Sequence, residues 1–321
     1  MRAGTDRAPT AAPAAGPRPA VGARAGLAPR RAGRRTAVPY LFLAPFLLLF
    51  CAFLVVPLAY ALGISMFVER LIGGGTFVGA RNYLHAFTDP SFLEAVRRMA
   101  LFGVVQVPVM LGLALLLALL LDGGLAYARR LFRLTFFLPY AVPSVVAALM
   151  WGYVYSRDFG PLGQIAQWLG FGAPDFLGAK AMLGALGNVV TWEYTGYNML
   201  ILYAALQSVP PELYDAAAVD GASRWQVAWR IKVPLIAPAL VLASVFSIIG
   251  TLQLFNEPYV MQPLTPMVIG SHYTPNLYAY TLAFTNQQYN YSAAVSFALG
   301  AVVFIASYLF LFVTDRRRRA R

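Results

Sequence analysis

Residues 99–121 read MALFGVVQVPVMLGLALLLALLL, from Met99 to Leu121, without one charged side chain. A helix of that length rises about 34 Å at 1.5 Å per residue, and about 20 apolar residues suffice to cross a hydrocarbon layer. A strand would be far shorter, and a soluble core helix would keep a polar face. Working outward, five further stretches reach comparable length: Tyr40–Phe67, Leu131–Tyr155, Met182–Leu206, Leu235–Val260 and Ser292–Val313. The reading is therefore an all-α membrane protein with six transmembrane helices. The 321-residue chain is 59% hydrophobic and 12% charged, with a mean hydropathy of +0.62, a balance that needs lipid as solvent. Pro45, Pro57, Pro108, Pro139 and Pro143 lie in or beside these stretches. Lipid-embedded helices tolerate proline because neighbours satisfy the freed carbonyls, so kinks are expected.

Charge placement orients the spans. Of the 25 Lys and Arg residues, 19 fall on one side: the N-terminal tail, Arg129, Arg130 and Arg133, then Arg224, Arg230 and Lys232, and the arginines from Arg316 onward. The other side holds Arg70, Arg81, Arg97, Arg98, Arg157 and Lys180. Cytoplasmic flanks are the basic ones, so both termini and the loop 207–234 are predicted to be cytoplasmic. A net charge of +12 held in tails and short loops serves orientation and contact with anionic lipid; nucleic acid is not a partner, since a binder would spread its cations over a folded face.

Residues 1–36 are Ala, Pro, Gly and Arg with almost no large apolar side chain, and are read as a disordered cytoplasmic tail. The apolar stretch after them is too long for a signal peptide and is expected to remain as an anchor. Residues 316–321 form a basic cytoplasmic tail. Cys51, the single cysteine, excludes a disulfide framework or a Cys-ligated metal site within this chain and is read as a small core residue. His85 and His272 fall outside the spans and are read as solvated loop residues, and no nucleophile–base or metal-ligand spacing supports an intramembrane enzyme.

The loop 207–234 carries the most information. Pro211 and Glu212 suit a helix start, where proline loses no bond and a carboxylate meets the positive dipole end. Asp220-Gly221 then breaks that helix. Ala222 to Ile231 can form a second short helix with Trp225 and Trp229 one turn apart, which Pro234 would close. Two short amphipathic helices set at an elbow suit a groove on a soluble partner; an interfacial loop anchored by its tryptophans fits the residues equally well.

The run Asp215-Ala216-Ala217, Asp220-Gly221-Ala222 and Pro234 resembles the cytoplasmic EAA loop of the membrane subunits of binding-protein-dependent ABC importers. Phe137-Leu138-Pro139 with Pro143, Gly196-Tyr197-Asn198-Met199 and Leu206-Gln207-Ser208-Val209-Pro210 resemble their carbohydrate-uptake, maltose/glycerol-phosphate-type branch. This chain departs from the pattern at Asp215, where glutamate is usual, at Ala228, where phenylalanine is common, and at Gly163, where asparagine is frequent. The resemblance implies a type I importer transmembrane domain over residues 37–315, with Asp215, Ala216, Ala217, Asp220, Gly221, Ala222 and Trp225 meeting the ATPase. It also implies a second homologous permease, two ATP-binding subunits carrying ATP and Mg, and an external solute-binding protein. No Gly-rich phosphate loop ending in Lys-Ser or Lys-Thr occurs here, so no cofactor is expected on this chain.

Polar groups inside spans are costly and so informative. The fifth span offers Gln253, Asn256, Glu257 and Tyr259, and the fourth Asn188, Trp192, Glu193, Tyr194, Tyr197 and Asn198. Amides and carboxylates match sugar hydroxyl pairs while aromatic faces cover the ring; hence Tyr197, Asn198, Gln253, Asn256, Glu257 and Tyr259 are the candidate substrate path. The alternative is that such groups tie helices together. A secondary transporter coupled to protons through Glu193 or Glu257 is allowed by composition but leaves the elbow unexplained. A glycerol-phosphate or polyol substrate also remains open within the family.

Overall fold

Proline, which lacks an amide hydrogen and crowds the carbonyl four residues back, decides much of how these helices bend. The computed structural model describes residues 37–70, 74–123, 129–172 and 174–319, so the expected tail 1–36 lies outside the described residues. The chain divides into two compact units, residues 1–56 and 57–321.

The first helix, α1 (Ala37–Phe50), continues through a π-helical turn, Cys51–Val55, into α2 (Val56–Ser65). In that wide turn Val56 N–H donates to Cys51 O, and the widening lies just ahead of Pro57, whose ring a regular turn would press against a carbonyl. Cys51 is exposed, not the small core residue its apolar context predicts. The span ends at Ser65; Phe67, expected inside it, opens an antiparallel hairpin of β1 (Phe67–Arg70) and β2 (Gly74–Phe77). This pair is a small exception to the all-α expectation.

After α3 (Arg81–Ala86), helix α4 (Pro90–Asp122) begins nine residues before the expected Met99. Asp89 caps it by accepting from Ser91 N–H at 2.9 Å, and Pro90 fills the first turn, where no amide is needed. Asp89 also accepts from the hydroxyls of Tyr278 and Tyr291 at 2.6 and 2.8 Å. Burial opposes its charge, but these hydrogen bonds and nearby His85 hold the carboxyl below its usual range.

The third expected span, Leu131–Tyr155, is not one helix. It is α5 (Arg129–Ala141) and α6 (Ser144–Val154), turned by 93°. Pro143 stands at the break in an extended conformation, as its fixed φ and the missing amide favour. A short α7 (Pro161–Trp168) follows, then α8 (Met182–Gln207), matching the fourth expected span within a residue.

Beyond the elbow, described below, the fifth expected span is interrupted. Helix α12 (Ala237–Leu252) ends at Gln253 and α13 (Asn256–Met261) restarts after Phe255. Asn276 Nδ2 donates to the Gln253 carbonyl at 2.7 Å, satisfying a group the break releases. After α14 (Pro275–Tyr280), the last helix, α15, runs Tyr289–Arg319 and takes in the arginines from Arg316 to Arg319.

Among the described residues, four helices are long and apolar enough to cross a membrane, and the bent α5–α6 pair would make five. Helix α8 is long enough at 26 residues but is loaded with Asn188, Trp192, Glu193, Tyr194 and Asn198. It packs inside the bundle: Leu186 and Val189 join Met261, Ile269 and Leu277, while Met199, Leu202 and Leu206 meet Ala114, Ala118 and Leu121 of α4. At Gly196 it also closely approaches α5. A Cβ on Gly196 would fall 1.7 Å from the Phe136 carbonyl oxygen, so only glycine lets these two backbones touch.

Candidate functional site

That contact places the first site residues. With Gly196 against α5, the next residue, Tyr197, stacks on Tyr140 at 4.6 Å between centroids and 19° between planes. Tyr140 also meets Tyr194 edge-on at 5.8 Å. From the other side the interrupted backbone at Gln253–Phe255 faces the same space. The result is a cleft of about 370 Å³ whose lining includes Tyr140, Tyr197, Asn198, Gln253, Asn256 and Glu257.

Five of the six residues expected on the substrate path therefore line one cavity. Tyr259 does not; it joins an aromatic cluster with Phe255 and Tyr280, its hydroxyl 3.2 Å from that of Tyr280. Asn256 Nδ2 donates to Ser144 Oγ at 2.8 Å, linking α13 to the first residue of α6. Asn198, on the cleft lining, donates from Nδ2 to Tyr194 O at 3.0 Å. Glu257 and Glu193 are neighbours, each 3% exposed, but only Glu257 borders the cleft. Other polar groups of α8 serve the structure: Asn188 Nδ2 donates to Tyr155 Oη at 2.7 Å, and Trp192 packs edge-on against Trp151. Tyr140 and Ser144 escaped sequence reasoning because they lie in a segment read as one apolar helix; the close pair Pro139 and Pro143, which brackets Tyr140 and directly precedes Ser144, is the signal that could have found them.

At the far end of α8 stands the elbow. Its first helix, α9 (Glu212–Val219), starts after Pro211 as the residues predict. It ends with Gly221 at φ +74°, where Ala222 N–H donates to Ala217 O at 2.9 Å and Gly221 N–H to Ala218 O at 3.1 Å. These paired bonds are the Schellman arrangement, which favours glycine at that position. The second helix, α10 (Arg224–Val227), is opened by a reciprocal cap: Gln226 N–H donates to Ser223 Oγ, and Ser223 N–H to Gln226 Oε1 at 2.7 Å. The Ser223-x-x-Gln226 spacing was legible as a capping box and was missed.

Pro234 does not close this second helix. A π-helical turn, Ala228–Lys232, again widens the backbone two residues ahead of the proline, and the chain continues through α11 (Val233–Leu235) toward α12. Trp225 and Trp229 do share a face, with centroids 5.3 Å apart. Of the residues expected to meet an ATPase, Asp215, Ala216, Asp220, Gly221 and Trp225 are exposed, Ala222 is half-buried, and Ala217 is buried as an anchor of the glycine turn. Val219 at 87% and Trp225 at 68% exposure leave apolar surface on the elbow, a feature of surfaces awaiting a partner.

Residues 110–319 match the family described as the binding-protein-dependent transport system inner membrane component. The chain is 31% identical over 289 residues to the lactose transport system permease protein LacF of Rhizobium radiobacter, covering 87% of this chain and 94% of that one. It is 31% identical over 280 residues to the arabinooligosaccharides transport system permease protein AraP of Bacillus subtilis, covering 86% and 88%. In fold it is similar to a chain in the crystal structure of a bacterial alginate ABC transporter in complex with an alginate pentasaccharide-bound periplasmic protein, with a TM-score of 0.76 at 21% identity over 88% of this chain and 96% of that chain.

Proposed function

From the premise that the chain belongs to the family of inner membrane components of binding-protein-dependent transport systems, we propose that it forms half of a pore importing a neutral sugar or oligosaccharide by alternating access. The cleft carries this reading: amides of Asn198, Gln253 and Asn256, the Glu257 carboxyl and the rings of Tyr140 and Tyr197 line one space beside a broken helix. Irregular backbone at membrane depth belongs where it borders a water-filled path. Among the described residues lining the cleft there is no Lys or Arg, which disfavours a glycerol phosphate, whose charge would need a cation. The names of the relatives LacF and AraP support a carbohydrate.

A second permease completes the pore, an external solute-binding protein delivers the sugar, and two ATPase subunits bind ATP and Mg. Asp215, Ala216, Ala217, Asp220, Gly221, Ala222 and Trp225 form the contact with an ATPase, and ATP-driven closure moves the elbow as a lever. The chain crosses the membrane six times with both termini in the cytoplasm; the 26-residue length of α8 and the one-sided basic loops support this count.

Alanine at Tyr197, Gln253 and Asn256 is expected to lower sugar uptake by about tenfold, as loss of one or two hydrogen-bonding or stacking contacts would, while the ATPase subunits still co-purify. Uptake unchanged in all three variants would contradict the assignment of the cleft.

A further inference from the structure

One charged pair lies between the elbow and a helix remote in sequence. Asp122 ends α4, and Lys232 closes the π-helical turn of the elbow, 110 residues later. The Lys232 ammonium donates to Asp122 Oδ2, and their side chains are only 13% and 8% exposed. Asp122 Oδ1 accepts from Gln207 Nε2 at 2.7 Å, at the last residue of α8. The Lys232 ammonium also lies 4.6 Å from the ring centre of Tyr214, in the first elbow helix. Four side chains thus join both halves of the elbow to the ends of α4 and α8.

We infer that the Asp122–Lys232 pair is the latch that carries elbow movement into α4, a positioning role that rests on the importer reading above. The covalent path favours one helix only: the second elbow helix continues into α12, with Ile236 N–H donating to Lys232 O and Leu240 N–H to Ile236 O, both at 3.0 Å. Helix α4 has no such continuity with the elbow, yet it forms one wall of the bundle against α8 and contributes Met110 to the cleft. For α4 to follow the elbow, force must cross a side-chain contact. A largely desolvated ion pair with each partner further held by a hydrogen bond or an aromatic face is stiff and fixes register. It adds little to net stability compared with apolar packing, so register is the better account of its presence.

The test reads alternating access without needing the identity of the sugar. In the assembled complex, with Cys51→Ser removing the native thiol, Ser247→Cys places one thiol in the cleft lining. Its reaction rate with a membrane-impermeant methanethiosulfonate reagent is compared with and without ATP and vanadate. The parent is expected to change rate by about fivefold or more, the lower end of typical coupling between sites. Asp122→Asn and Lys232→Met are expected to trap nucleotide as the parent does but to lose that rate change, and the exchange Asp122→Lys with Lys232→Asp to restore it. A full rate change in both single variants would overturn the latch and leave the importer reading standing. Loss of nucleotide trapping in the single variants, or failure of the exchange to restore the response, would also overturn it, assigning the pair to docking or folding. A parent that traps no nucleotide would overturn the importer reading and the latch with it.

Discussion

At Gly221 a single torsion defines the elbow. Its φ of +74° is strained for any side chain, but a Cβ there would meet nothing within 4 Å, so the cost of substitution in the chain alone is conformational and not steric. Gly221→Ala is expected to destabilise by about 1 kcal/mol, Gly221→Asn by less, and Gly221→Val by more, following tolerance for left-handed backbone. Thermal unfolding of the purified chain in detergent checks that order; Ala and Val equal to the parent would contradict it. This residue was legible because Asp-Gly after a helix-start signal has few other meanings. Lys232 was not: in the sequence it is one more basic residue, and its partner Asp122, at the end of α4, lies 110 residues earlier. The same holds for Tyr140, whose role depends on a backbone contact made by Gly196 on another helix.

Elements were easier to locate than their breaks. Length and apolarity identify α4, α8, α12 and α15 to within a few residues at most ends, since a stretch of 20 or more such residues has one stable solution in lipid. What prolines do to those helices could not be read. Pro143 turns the chain by 93°, whereas Pro57 and Pro234 are absorbed by wide turns just before them. The difference lies in what surrounds the freed carbonyls, which is tertiary information. At the α5–α8 contact the outcome is sharper. Gly196→Ala forces a methyl group to within 1.7 Å of the Phe136 carbonyl oxygen, and is expected to cost about 3 kcal/mol or to prevent folding. Gly112→Ala, in α4 with nothing within 4 Å of the added carbon, is the control and should gain up to about 1 kcal/mol. Detergent-solubilised yield and melting temperature compare them; equal values for the two variants would contradict the close approach.

Across the whole molecule, α8 runs between the cleft and the elbow. Asn198 borders the cleft and Gln207 reaches the Asp122–Lys232 pair, about 14 Å apart along the helix at 1.5 Å per residue. Of the polar residues that lower the apolarity of α8, Tyr194, Tyr197 and Asn198 line the cleft while Asn188 and Trp192 tie helices together. On the proposed reading this chain acts as a coupled subunit of an ATP-driven importer. Affinity purification from native membranes in mild detergent, with mass spectrometry and an ATPase assay, tests it directly when Gly221→Trp is run alongside, because that position is open within this chain and a bulky side chain there reports on a docked partner. An ATP-binding subunit and a second permease are expected to accompany the parent, and the variant, folded and inserted, to lose the ATPase. A parent that comes down alone and intact would contradict it.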